Sequence, residues 1–263
     1  MARIRTTLVV QNTIRLTDRL IRVRLGGPGF ASFQPNDRTD AYVKLVFPGA
    51  DGDVTRTYTV REVDRAAQEI AIDFVYHGEE GIAGPWAAAA RPGDSIDLMG
   101  PGGAYAPRPD ADWHLLAGDE SALPAIAAAC AALPADAVGQ VFAEVAGSAD
   151  ELAFTHPEGV ELTWIHRAAA EPGERLAAAV RSAPWRDGQV QVFIHGEAGA
   201  VMHDLRPYIR KERGVPAEWA SSISGYWRRG HTEEGFRRWK SELAEREKTA
   251  PAGVQTTRSS QSR

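Results

Sequence analysis

Short apolar stretches that alternate with polar residues dominate the first hundred positions of the chain. Residues 6–10 and 21–25 alternate or run β-branched, and Gly26-Gly27-Pro28-Gly29 breaks the second of them. Residues 41–47, 55–60, 69–76 and 95–99 continue the pattern, and a short helix fits 84–90. Short strands at regular spacing predict a small antiparallel barrel rather than a parallel sheet. Residues 106–112 are proline-rich and polar, which marks a linker. The rhythm then changes. Buried strands at 113–117, 138–145, 161–166 and 190–195 are separated by helical patterns at 122–133, 173–182 and 198–213, followed by a last strand at 221–226. Alternating strands and helices predict a parallel sheet covered on both faces. A charged helix over 232–248 follows, opened by a loose capping pattern at Thr232. The Ser/Thr/Gln-rich residues 249–263 read as a disordered tail. The expected organisation is therefore a β-barrel domain over 1–108, an α/β domain over 113–248 and the tail.

Composition narrows the chemistry. The 263 residues carry 30 Lys and Arg against 35 Asp and Glu, a formal net charge of −5 without a basic block. That balance gives no support to nucleic-acid or membrane-surface binding. One cysteine, Cys130, excludes an internal disulfide and a cysteine-ligated iron–sulfur or zinc centre, and its alanine-rich setting reads as a packed helix. The histidines show no metal-ligand spacing, and Ser121 and Ser224 lack a nucleophile-elbow context. With no signal-peptide core and no membrane-length apolar run, the chain reads as cytoplasmic. Any redox centre must then be an organic cofactor or a bound substrate.

Arg56-Thr57-Tyr58-Thr59-Val60-Arg61 is the most informative stretch. On a strand, Arg56, Tyr58 and Val60 share one face and Thr57, Thr59 and Arg61 the other. A flavin needs a flat apolar partner, a cation for its diphosphate and small polar groups at the ring edge, all of which this stretch supplies. Taken alone, it fits an ordinary barrel strand equally well. Downstream, Asp73 and His77 precede Ile82-Ala83-Gly84-Pro85-Trp86, a small-residue loop opening a helix whose N–H groups would approach a diphosphate. Gly100-Pro101-Gly102-Gly103 reads as turn chemistry. Gly118-Asp119-Glu120-Ser121 follows a buried strand and opens a helix, where a parallel sheet takes a dinucleotide. It lacks the three-glycine fingerprint, and its carboxylates serve equally as an acidic helix cap. Tyr226-Trp227-Arg228-Arg229 concentrates aromatics and cations between glycines, suited to ring stacking and an anionic ligand.

In this order the segments resemble the siderophore-interacting proteins, a branch of the ferredoxin-reductase-like flavoproteins. The resemblance is carried by residues 39–45, Arg56 to Arg61, His77 to Ala87, Gly93-Asp94, residues 118–126 and residues 225–230. It implies a barrel that binds FAD and an α/β domain that binds NADPH or NADH. The implied reaction is reduction of a ferric siderophore to release ferrous iron, with no side chain acting as nucleophile or base and no resident metal. Arg56, Tyr58, Thr59 and Val60 would hold the flavin, and Ile82, Ala83, Gly84 and Trp86 would surround its diphosphate, with Asp73 and His77 nearby. Asp119, Glu120 and Ser121 would line the nucleotide side, and Trp227 would stack on a ring. Lys44 and Arg228 would attract the anionic siderophore. Pro85 stands where some members carry a small hydroxyl residue. Reduced ferredoxin is an alternative donor. The rival readings are a general flavin or quinone reductase on the same fold and a non-catalytic siderophore or flavin binder.

Overall fold

Six strands make up the first half of the chain: β1 (Arg5–Thr17), β2 (Leu20–Gly26), β3 (Tyr42–Phe47), β4 (Val54–Asp64), β5 (Glu69–Val75) and β6 (Ser95–Gly102). The computed structural model describes residues 5–49 and 52–249. These six strands close into an antiparallel barrel in the order β1-β2-β5-β4-β3-β6. Leu8, Val23, Leu25, Val43, Leu45, Ile70, Ile72, Phe74 and Leu98 fill its interior. The helix α1 (Ala83–Ala89) packs against β2 and β5.

The second half forms a five-stranded sheet in the order β11-β10-β7-β8-β9, from β7 (Trp113–Gly118), β8 (Gly139–Val145), β9 (Val160–His166), β10 (Val190–Glu197) and β11 (Ser222–Trp227). The neighbours β10, β7, β8 and β9 run parallel. Every residue of β7, β8 and β10 is buried, as a sheet covered on both faces requires. Leu116, Val141 and Phe193 pack with α2 (Leu123–Ala132). Leu115, Ala117, Val192 and Ile194 pack on the other face with α3 (Glu174–Ser182). The helix expected over 198–213 is π-helical at Gly199–Leu205 and at Tyr208–Glu212. Pro207, which has no N–H to donate, sits between the two segments.

The described residues divide into two units at Tyr226 and Trp227, and both sheets belong to the first. The expected linker is clamped in that unit. Asp40 accepts the backbone N–H groups of Ala104 and Tyr105 at 2.8 Å each. Gln191 of β10 accepts Arg108 N at 2.7 Å and donates to Ala106 O at 3.0 Å. In the second unit, Thr232 caps α4 (Glu233–Thr249), its hydroxyl oxygen accepting Gly235 N at 3.2 Å. Arg228 lies over the Trp239 ring at 4.3 Å. Of the tail expected over 249–263, Thr249 ends α4 instead, and residues 250–263 lie outside the described residues.

A Cβ on Gly118 would lie 2.5 Å from Ala122 Cβ and 2.6 Å from His195 O, so Gly118→Ala should destabilise the fold by about 1–3 kcal/mol in urea unfolding. His114, buried in β7, has its pKa lowered by that burial. The unfolded chain therefore binds the proton first, and stability is lost as pH falls below the ordinary value of 6.5 toward the folded value. His114→Gln should flatten the thermal-stability profile in that acidic window.

Candidate functional site

The flavin-type stretch lies on β4, and β4 changes partner along its length. Its first half, from Val54 to Thr59, pairs with β3. Pairing with β5 begins only at Val60, and a register shift follows between Val60 and Glu62 that makes Arg61 a bulge. The barrel wall therefore parts beside Arg56 to Thr59. Tyr58 is half-buried there, its ring centroid 4.4 Å from that of Phe74. Phe74 in turn meets Trp86 of α1 at 5.6 Å, and Trp86 meets Phe47 edge-on at 5.7 Å. Val60 lies in the barrel core on the same face as Tyr58.

Thr59 lies on the opposite face and is buried. Lys44 and Tyr42 are the cross-strand partners of Thr57 and Thr59, so these four share one face. The Tyr226 hydroxyl at the end of β11 lies near Thr59, and Asp40 and Asp119 are near enough to raise the Tyr226 pKa further. Burial is the main cause of that rise. The flavin-type strand and the nucleotide-type turn thus meet within one unit.

The remaining predicted flavin residues are distributed around the opening. Ala83 and Gly84 are buried at the start of α1, whose N-cap residue Ile82 makes no side-chain cap. A Cβ on Gly84 would meet Val75 O at 3.1 Å, so this glycine lets α1 approach the end of β5. His77 is exposed in the loop between them. Asp73 is occupied by a partner that sequence reading missed: Arg22, opposite it on β2, donates two hydrogen bonds at 2.6 and 2.7 Å. The expected turn at Gly100 to Gly103 is partly strand, because β6 runs on to Gly102. There a Cβ would lie 2.5 Å from the Tyr42 ring, so ring packing requires this glycine.

At the carboxyl edge of the sheet, Asp119 is buried and saturated. One oxygen accepts Ser121 N at 3.0 Å and the Ser121 hydroxyl at 2.5 Å, while the other accepts Glu197 N at 2.9 Å. Glu197 accepts Gly199 N and Ala200 N at 2.6 and 3.1 Å. Glu144 caps α3 by accepting Gly173 N at 2.9 Å and Leu176 N at 3.1 Å. Glu120 pairs with Arg167, another residue without a sequence signal, since only the strand order brings the two together. No cluster suited to a metal ion exists among the described residues.

These features fit FAD: a parted β-wall floored by Tyr58, Phe74 and Trp86, a cation at Arg56, and an uncapped helix start at Ala83 and Gly84. Residues 48–105 match the siderophore-interacting FAD-binding domain, and residues 111–230 match the siderophore-interacting protein family. An uncharacterized protein of Mycobacterium tuberculosis is 57% identical over 266 residues, covering 89% of this chain and 94% of that protein. The ferric vibriobactin reductase ViuB of Vibrio cholerae is 34% identical over 242 residues, 84% of this chain and 88% of ViuB. The crystal structure of a siderophore utilization protein from T. fusca superposes with a TM-score of 0.79 at 38% identity, covering 87% of this chain and 94% of that one. The chain belongs to the siderophore-interacting protein family, and its barrel is an FAD-binding domain on a ferredoxin-reductase-like fold.

The stacking role expected of Tyr58 is measurable. Tyr58→Ala should weaken FAD retention by roughly three- to tenfold, the value of one aromatic contact, whereas Tyr58→Phe should retain it. Dilution of the flavin-loaded protein, followed by flavin fluorescence, checks this.

Proposed function

We propose that this protein is an FAD-dependent reductase of ferric siderophores, supplied with electrons by NADPH or NADH and releasing ferrous iron. One observation carries the reading: α2, the helix that follows the Asp119 turn of the parallel sheet, packs against β4, the strand of Tyr58 and Thr59. That contact brings the proposed flavin strand to the switch point between β7 and β10, where open parallel sheets take dinucleotides. The proposed division places flavin binding in residues 1–108 and nucleotide binding in residues 113–248.

Bound FAD would accept an electron pair from the nicotinamide and pass electrons singly to iron. In this reading Arg56 offsets the diphosphate charge, Tyr58 and Val60 support the ring, and Thr59 lies at its edge. Ile82, Ala83, Gly84 and Trp86 surround the diphosphate, with Asp73 and His77 at the margin. Asp119, Glu120 and Ser121 border the donor, and Trp227 stacks on a ring. The reaction asks for positioning and charge attraction rather than acid–base catalysis. Lys44 and Arg228 are the proposed cations for an anionic ferric chelate, and the proposed setting is cytoplasmic. Among the described residues, no helix is long and apolar enough to cross a membrane.

Lys44→Ala and Arg228→Ala should each raise KM for a ferric siderophore, roughly fivefold or more, while anaerobic flavin reduction by NADPH or NADH keeps its rate. Stopped-flow absorbance separates the two half-reactions. Unchanged KM in both variants would favour a general flavin reductase instead.

A further inference from the structure

The side chain of Arg167, just after β9, crosses the end of β8 to reach the turn after β7. Its two terminal nitrogens donate to both oxygens of Glu120 at 2.9 and 2.7 Å, and one also reaches Glu144 at 3.3 Å. The guanidinium and the Glu120 carboxylate are mostly shielded, with side-chain exposures of 16% and 11%. This fork-to-fork geometry is the one in which a guanidinium also takes a phosphate.

The surrounding anion sites are already filled by the protein. Glu144 occupies the start of α3, Glu197 the start of the π-helical segment at Gly199, and Asp119 the turn before α2. A dinucleotide at this edge therefore finds carboxylates where a three-glycine turn would offer bare N–H groups. In open α/β sheets the ribose end of the dinucleotide lies near the second strand, and an arginine there meets the 2′-phosphate of NADP. Arg167 spans the end of that strand here. Glu144 is fixed by two backbone N–H groups besides Arg167, whereas the hydrogen bonds of Glu120 run to Arg167. Of the two carboxylates, Glu120 is the one able to leave without uncapping a helix.

We propose that Glu120 is a displaceable stand-in for a nucleotide phosphate on Arg167. The donor's phosphate takes the guanidinium and Glu120 turns outward, so the pair sets the threshold for donor binding. This rests on the reading that a nicotinamide nucleotide is the donor.

The test is equilibrium binding of NADP⁺ and NAD⁺ to the FAD-loaded protein by calorimetry, with melting temperatures confirming the fold. Glu120→Gln should tighten binding roughly tenfold, the scale of one charge-assisted hydrogen-bonded pair. Glu120→Asp, which keeps the charge but shortens the reach, should tighten it less. Arg167→Met should weaken binding and abolish the effect of Glu120→Gln in the double variant. Tightening confined to NADP⁺ assigns the 2′-phosphate, and tightening of both assigns the diphosphate. Unchanged or weaker binding of both nucleotides in the folded Glu120 variants overturns the proposal, as does wild-type affinity in Arg167→Met. If Glu120→Gln does not fold, Glu120→Asp carries the same decision. Anaerobic mixing separates the two levels. A wild-type flavin that neither nucleotide reduces sinks the donor reading itself, whereas normal reduction with unresponsive variants sinks only the role of Glu120.

Discussion

A strand in a closed barrel normally has a partner on each side, and β4 meets that demand in two halves. From Val54 to Thr59 it pairs with β3, and from Val60 to Asp64 with β5, with Arg61 bulged at the handover. The division parts the wall at Tyr58, which rests on Phe74, and Thr59, on the other face of the strand, lies near Tyr226 of the parallel sheet. A continuous pairing of β4 with β5 would close the groove that fits the flavin. It would also remove the freedom by which neighbouring residues of one strand serve a ring and a domain seam at once.

The second organising feature is electrostatic. The carboxyl edge of the sheet holds Asp119, Glu120, Glu144 and Glu197, each bound by backbone N–H groups or by Arg167. These carboxylates stabilise the helix starts and set the crevice geometry, since Gly196 must lack a side chain for Asp119 to approach. They also make the edge a poor receptor for a polyanion unless a cation is uncovered. On the barrel, Lys44 shares the face of Thr57 and Thr59, which supplies positive charge near the proposed acceptor side. Donor and acceptor, both anionic in the proposed reaction, would thus meet different charge environments.

Much of this architecture was legible in the sequence because burial imposes its period directly. Residues 21–25 and 41–47 alternate, and β7 and β10 are buried throughout around apolar runs such as Leu115-Leu116-Ala117 and Val192-Phe193-Ile194, so barrel and parallel sheet separate cleanly. Where burial fades, so did the signal. The local pattern marks β1 only over 6–10, whereas the strand continues to Thr17 with its later residues largely exposed. Tertiary pairings were invisible for a different reason. Arg22 with Asp73 depends on barrel register, and Glu120 with Arg167 depends on strand order, neither of which is written in local pattern. The residues of the Arg56-Thr57-Tyr58-Thr59 stretch were found from local chemistry, but their division between two faces has consequences only once β5 and β11 are in place.

The central claim is that electrons pass from nucleotide to flavin to chelated iron, and their count tests it most directly. Under argon, the FAD-loaded protein would receive a limiting amount of NADPH or NADH with excess ferric siderophore and a ferrous-specific chelator. The account predicts about two trapped ferrous ions for each nucleotide oxidised, because the flavin divides an electron pair between one-electron acceptors. Nucleotide oxidation with no ferrous iron trapped would contradict it.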